Sequence, residues 1–222
     1  MRDRELVPFD NKALHSLSEA DPEMKKLISL MGDIPLAIGN NHFESLVKSC
    51  IGQQLSLKAA RTIYNRFQEL LDEVTPEAVL TLSDDTLRSV GISKQKASYI
   101  KDLSSKVLSE EVLLNTLEDL ENEEVIKTLT SVKGIGQWTA EMFLIFSLGR
   151  TDVMSLGDVG LQRGCRWLYQ VGKEEDGKEM LKRLSSNWDP HYTVASLYLW
   201  EAVNRGFTTN YSCIDQAIDD LN

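Results

Sequence analysis

Apolar residues recur along most of this chain every three or four positions, a spacing that fits helices and leaves almost no room for the alternation of a half-buried strand. In HFESLVKSCIGQQ, the residues Phe43, Leu46, Val47, Cys50 and Ile51 fall on one helical face. Ala59, Ala60, Ile63, Phe67, Leu70 and Leu71 repeat the pattern after Ser56, whose hydroxyl suits an N-cap. Asp21-Pro22, Thr75-Pro76 and Asp189-Pro190 each set a capping side chain before a proline at the first helical position, where the missing N–H costs nothing. Gly91 stops one helix, and Ser93 caps the next, KQKASYIKDLSSKVL. The pattern predicts an all-α chain of about ten helices with short connections and no internal repeat.

With 222 residues, 42% hydrophobic and 26% charged, the chain can bury one large core or two small ones, which excludes a disordered or collagen-like protein. No stretch approaches the ~18 uninterrupted apolar residues of a membrane span. The opening MRDRELVPFDNKALHSLSEA lacks the apolar run of a signal peptide, so a soluble, cytoplasmic setting without membrane contact is expected. Cys50, Cys165 and Cys213 are far apart and form no Cys-x-x-Cys pair, and His15, His42 and His191 have no metal-ligand spacing. Buried or half-buried thiols and no metal site are expected.

The most informative segment is LTSVKGIGQWTAEMFLIFSLG, residues 129–149. A short helix, EEVIKTLTS, leads into Val132-Lys133-Gly134-Ile135-Gly136, and a second helix follows with Ala140, Phe143, Leu144 and Leu148 on its apolar face. Two glycines around one aliphatic residue permit a tight turn and let another molecule approach the backbone. Beyond the turn, the first N–H groups of the second helix lack intrahelical partners and lie at the positive end of its dipole, which suits a phosphate. The same tripeptide also suits a plain interhelical turn with Ile135 plugging the core.

The net charge of −10 argues against a general affinity for polyanions, but the charge is unevenly spread. Lys and Arg outnumber Asp and Glu by 9 to 7 over residues 48–106 and by 5 to 3 over residues 125–166, whereas residues 107–124 carry 0 against 7. Main-chain donors at the turn then need only a few lysines beside them, such as Lys133 in the turn and Lys94, Lys96 and Lys101 upstream.

VKGIGQWTA resembles the helix-hairpin-helix signature of the base-excision DNA glycosylases, and DVMSLGDVGLQRG resembles the segment that carries their catalytic aspartate. Upstream, FESLVKSCIGQQLSLKAARTIYNRF and GISKQKASYIKDLSSKV are similar to the alkylpurine branch, the 3-methyladenine DNA glycosylases of the AlkA type. The four motifs run in order and in one register, and the matches extend from about residue 42 to residue 201. The resemblance implies a two-lobed all-α fold with its active site in the interlobe cleft. One lobe would span residues 42–150 and end in the hairpin; residues 1–41 would return to pack with residues 151–222 in the other.

It also implies roles. Asp158 matches the catalytic aspartate, placed to stabilise oxocarbenium character on the deoxyribose and to orient water; on its own it also reads as a helix N-cap. Trp138 stands where strand-cutting members carry a Schiff-base lysine, so hydrolysis without lyase activity is implied. Trp138 and Trp200 match tryptophans that line the base pocket and suit a cationic alkylated purine. Met142 stands where some relatives place a pocket tyrosine. Gln54 matches the residue that fills the gap left by an everted nucleotide, and Gln53 beside it suits a tether between loops. Lys133, Gly134 and Gly136 would hold a DNA phosphate. The implied activity is release of bases of the 3-methyladenine and 7-methylguanine type from double-stranded DNA by a monomer, nucleoid-associated, or nuclear in a eukaryote. No dissociable cofactor is implied, although hairpin carbonyls near Val132 suit a structural monovalent cation. A non-catalytic helix-hairpin-helix DNA-binding module, or an oxidised-base or mismatch glycosylase of the same superfamily, are the competing readings.

Overall fold

A computed structural model describes residues 4–221, with only the backbone described at Leu57; residues 1–3 and 222, the outermost ends of the expected second lobe, lie outside the described residues. The chain forms two compact units, one of residues 39–148 and one of residues 4–38 with the residues from 149 onward. In chain order, the second unit opens with β1 (Arg4–Val7), α1 (Asn11–Ala20), α2 (Pro22–Met31) and β2 (Leu36–Gly39). The first unit holds α3 (His42–Gly52), α4 (Leu57–Gln68), α5 (Pro76–Thr81), α6 (Asp84–Ser89), α7 (Lys94–Leu108), α8 (Asn122–Thr130) and α9 (Gln137–Phe146). The second unit resumes with α10 (Val159–Tyr169), α11 (Gly177–Leu184), α12 (Tyr192–Asn204), α13 (Phe207–Asn210) and α14 (Ile214–Leu221).

The all-α expectation holds, and the six-residue helices α5 and α6 form where the Thr75-Pro76 start and the Gly91 stop marked them. There are more helices than the periodicity counted, and α13, for one, spans only 4 residues and is too short to show a repeat. For the same reason the two four-residue strands, paired as β1-β2, escaped the pattern. The caps form as read. Asp21 accepts from Glu23 N and Met24 N ahead of Pro22, Thr75 from Ala78 N, Ser56 from Ala59 N, and Ser93 from Lys96 N. Asp189-Pro190 is a correction: the bond is cis, and α12 begins only at Tyr192 with His191 at its N-cap, so Pro190 belongs to the preceding turn.

Asp21 is the polar centre of the second unit's core. One carboxylate oxygen caps α2, and the other accepts Tyr169 Oη–H at 2.5 Å and the buried Trp188 Nε1–H at 3.0 Å. The same core clusters Leu17, Met24, Leu27, Leu161, Leu168 and Leu199, and so joins α1 and α2 to α10 and α12. Cys50 and Cys165 are buried, and burial pushes both thiols up to about 12, so neither is a thiolate at neutral pH. Among the described residues, no helix is long and apolar enough to cross a membrane.

Candidate active site

The hairpin between α8 and α9 is shaped by its two glycines in different ways. Gly134 has φ +82°, and a Cβ there would run into the Tyr99 ring, so both the conformation and the packing demand glycine. Gly136 has φ −94° and is the N-cap of α9, contributing no side-chain cap, and a Cβ there would meet nothing within 4 Å. Open space therefore lies against the N-terminus of α9, the positive end of its helix dipole, which favours an anion. Ile135, 4% exposed, plugs the core at the same time, so the two readings of the tripeptide hold together.

Of the carbonyls near Val132 that suit a monovalent cation, Val132 O accepts Ile135 N–H at 3.1 Å, and Ser131 O accepts Lys106 Nζ–H at 2.5 Å. A lysine ammonium thus already serves the carbonyl side of the turn. Among the lysines read as phosphate donors, Lys94 and Lys133 are exposed. Lys101 instead pairs with Asp84 at 2.5 Å, and Lys96 donates to Ile51 O at 2.8 Å and Gln53 O at 2.7 Å.

Between α3 and α4 the chain turns sharply. Gln53 Nε2 donates to Gly134 O at 2.8 Å, which is the tether expected of it. Gln54 is exposed and adopts φ +57°, a left-handed conformation that a non-glycine residue holds only when its surroundings impose it. Leu55 beside it is 38% exposed, an apolar side chain at the tip of the loop that the motif reading passed over.

In the other unit, Asp158 caps α10 and is 8% exposed. Its Oδ1 accepts Leu161 N–H at 2.7 Å and Trp200 Nε1–H at 2.9 Å. The cap and the carboxylate matched to catalysis are thus one group, and Trp200 is bonded to it. A Cβ at Gly160 would stand 3.0 Å from Asp158 Oδ1 and 3.4 Å from Trp200 Cδ1, so this glycine leaves room for the pair. Nothing in the one-dimensional pattern marked Gly160, because the crowding comes from a side chain forty residues later. Trp138, 48% exposed, lies in the first turn of α9, and Met142 follows one turn later on the same face, half-buried. The candidate residues therefore fall into two sets: Trp138, Met142, Gln54 and the hairpin in the first unit, and Asp158 with Trp200 in the second.

The chain that carries this hairpin and this helix-capping carboxylate falls, by similarity, in a class of DNA repair proteins. Residues 47–190 match the HhH-GPD superfamily of base excision DNA repair proteins, and the chain belongs to that superfamily. DNA-3-methyladenine glycosylase 1 of Schizosaccharomyces pombe is 35% identical over 206 residues, covering 89% of each chain. The crystal structure of a DNA-3-methyladenine glycosidase from Bacillus halodurans superimposes with a TM-score of 0.86 at 42% identity, covering 97% of this chain and 99% of that one. The S. pombe 3-methyladenine DNA glycosylase Mag1 in complex with abasic DNA gives 0.80 at 34% identity over 87% of this chain and 97% of that one. The resemblance to the alkylpurine branch is borne out.

Proposed function

We propose that this chain is a monofunctional DNA glycosylase that everts alkylated purines of the 3-methyladenine and 7-methylguanine type from double-stranded DNA and hydrolyses their N-glycosidic bond. It works as a monomer, leaves an abasic site and so opens base excision repair. The observation that carries this reading is the Asp158 carboxylate, fixed by Leu161 N–H and Trp200 Nε1–H in a chain whose relatives are named for this activity.

Loss of the base builds positive charge on the deoxyribose, and a fixed carboxylate stabilises it without having to reorganise during the reaction. The same group orients the water that attacks C1′. An N-alkylated purine is already cationic and leaves as a neutral base, so strong general-acid help is not needed. Trp200 and Trp138 supply indole faces, to which a cationic base is drawn by stacking and cation–π attraction of about 1–3 kcal/mol each. An indole forms no imine, so Trp138 cannot cut the strand through a Schiff base. Gln54 enters the duplex where the nucleotide left, offsetting part of the few kcal/mol that eversion costs. Lys133 and the N–H groups around Gly134 and Gly136 hold a backbone phosphate.

Asp158→Asn tests the assignment on methylated duplex DNA. Asparagine keeps a helix-capping oxygen but not the charge, so single-turnover base release is expected to fall by about 10²–10³-fold while the fold survives. Undiminished release by Asp158→Asn would refute the role of the carboxylate, and no release by the unsubstituted chain would favour a binding module.

A further inference from the structure

Both loops assigned to DNA in the first unit are built onto one face of α7. Lys96, Tyr99, Asp102 and Lys106 follow one another at intervals of three, three and four residues, which aligns them along the helix. Lys106 Nζ donates to Ser131 O at 2.5 Å, Asp102 Oδ2 accepts Lys133 N–H at 2.8 Å, and the Tyr99 ring lies where a Gly134 side chain would go. At the other end of the stripe Lys96 donates to Ile51 O and Gln53 O. Gln53 then closes the ring by donating to Gly134 O at 2.8 Å.

Lys96 thus meets the C-terminus of α3, where carbonyls lack intrahelical partners and the helix dipole is negative. Its two acceptors flank Gly52 and precede Gln54, whose left-handed backbone needs an external constraint. The side chain that fills the duplex gap and the turn that grips a phosphate must keep a fixed spacing, because a displacement of about 1 Å costs on the order of 10²-fold in rate.

We propose that Lys96 is a positioning residue for nucleotide eversion: through the two carbonyls and the Gln53–Gly134 bond it fixes the Gln54 loop to the phosphate-gripping hairpin, and it makes no contact with DNA itself. This rests on Gln54 filling the gap and on the hairpin holding a phosphate. Lys96→Met removes the ammonium, Lys96→Arg keeps two donors, and Gln53→Ala removes the tether.

The test is binding of a duplex carrying a tetrahydrofuran abasic analogue, and of the undamaged duplex, at several salt concentrations, together with single-turnover base release. Lys96→Met is expected to lose about tenfold in affinity for the abasic duplex, a similar factor in base release, and little for undamaged DNA. Its slope of log affinity against log salt should match that of the unsubstituted chain, because no phosphate contact is lost. Gln53→Ala should reproduce the loss, the double variant should add nothing to it, and Lys96→Arg should recover most of it. These last variants also decide the matter should Lys96→Met not fold. A slope shallower by about 0.9, or equal losses on both duplexes, would make Lys96 a phosphate ligand and overturn the proposal; so would additive losses in the double variant. If the unsubstituted chain bound abasic and undamaged duplexes alike, the gap-filling role of Gln54 would be what fails, and the positioning role would fall with it.

Discussion

The carboxylate of Asp158 caps a helix and is proposed to face a developing sugar cation, a task that needs it held rigidly; two donors, Leu161 N–H and Trp200 Nε1–H, converge on one of its oxygens. Gly160 is the residue that leaves them room. Gly160→Ala places a methyl 3.0 Å from Asp158 Oδ1 at an ordinary helical backbone position, so the helix should form while the carboxylate and the indole shift. Base release is expected to drop by about 10–100-fold with an unchanged circular dichroism spectrum, and full activity would show that the pair tolerates displacement. At this scale the sequence was informative about identities and mute about contacts. Asp158 and Trp138 drew their expected roles from ordered motifs and Trp200 from a match beyond them, whereas the Trp200–Asp158 bond joins residues 42 positions apart and left no mark in the sequence. Lys96 and Lys101 read as phosphate donors because a positive charge in a sequence does not say which carbonyl or carboxylate lies beneath it.

Two elements carry predictions of their own. In the hairpin, Gly134→Ala meets both a left-handed φ and the Tyr99 ring and should lower stability by more than about 1 kcal/mol, read as a fall in the thermal midpoint. Gly136→Ala has neither problem and faces open space. Its midpoint should hold, while affinity for duplex DNA falls about tenfold as the methyl blocks the phosphate. The reverse ranking would contradict the assignment of an anion site to this turn. The α3–α4 pair depends on Glu44, which Lys48 Nζ meets at 2.7 Å and Tyr64 Oη at 2.5 Å. Burial alone would raise this carboxyl, but the hydrogen bonds from Lys48 and Tyr64, aided by the lysine charge, hold it below the usual carboxylate range. A lowered value in the folded state means that the stabilisation is complete above the unfolded value and is lost as pH falls through the folded one. Glu44→Gln should therefore lower the midpoint by about 2–4 °C near pH 7, with the gap closing in acid, as thermal melts across pH would show. Capped helices with a proline or a glycine at their ends were legible; single-turn helices, two four-residue strands and the turn at Asp189-Pro190 were not, since each is decided by contacts beyond its own few residues.

At the scale of the whole molecule, a net charge of −10 opposes a general affinity for a partner as acidic as DNA. The proposed phosphate grip at the hairpin relies on main-chain donors and few cations, and several lysines are committed within the protein itself. Fold and class were readable in the sequence because the helical period, the glycine pair and the aspartate segment agree, and membership of the HhH-GPD superfamily follows. The tie of Asp21 to the rest of its unit was not readable, because Tyr169 and Trp188 reach it from more than a hundred residues away. The central claim is that the chain hydrolyses cationic alkylpurines from DNA and leaves the strand intact. It is tested most directly by incubating the protein with duplex DNA bearing methylated and oxidised bases, then identifying the released bases by mass spectrometry and the strand on a denaturing gel. Release of 3-methyladenine and 7-methylguanine, with nicking only after alkali, is expected. Release of 8-oxoguanine in their place, or a strand cut that borohydride traps as a protein–DNA adduct, would contradict it.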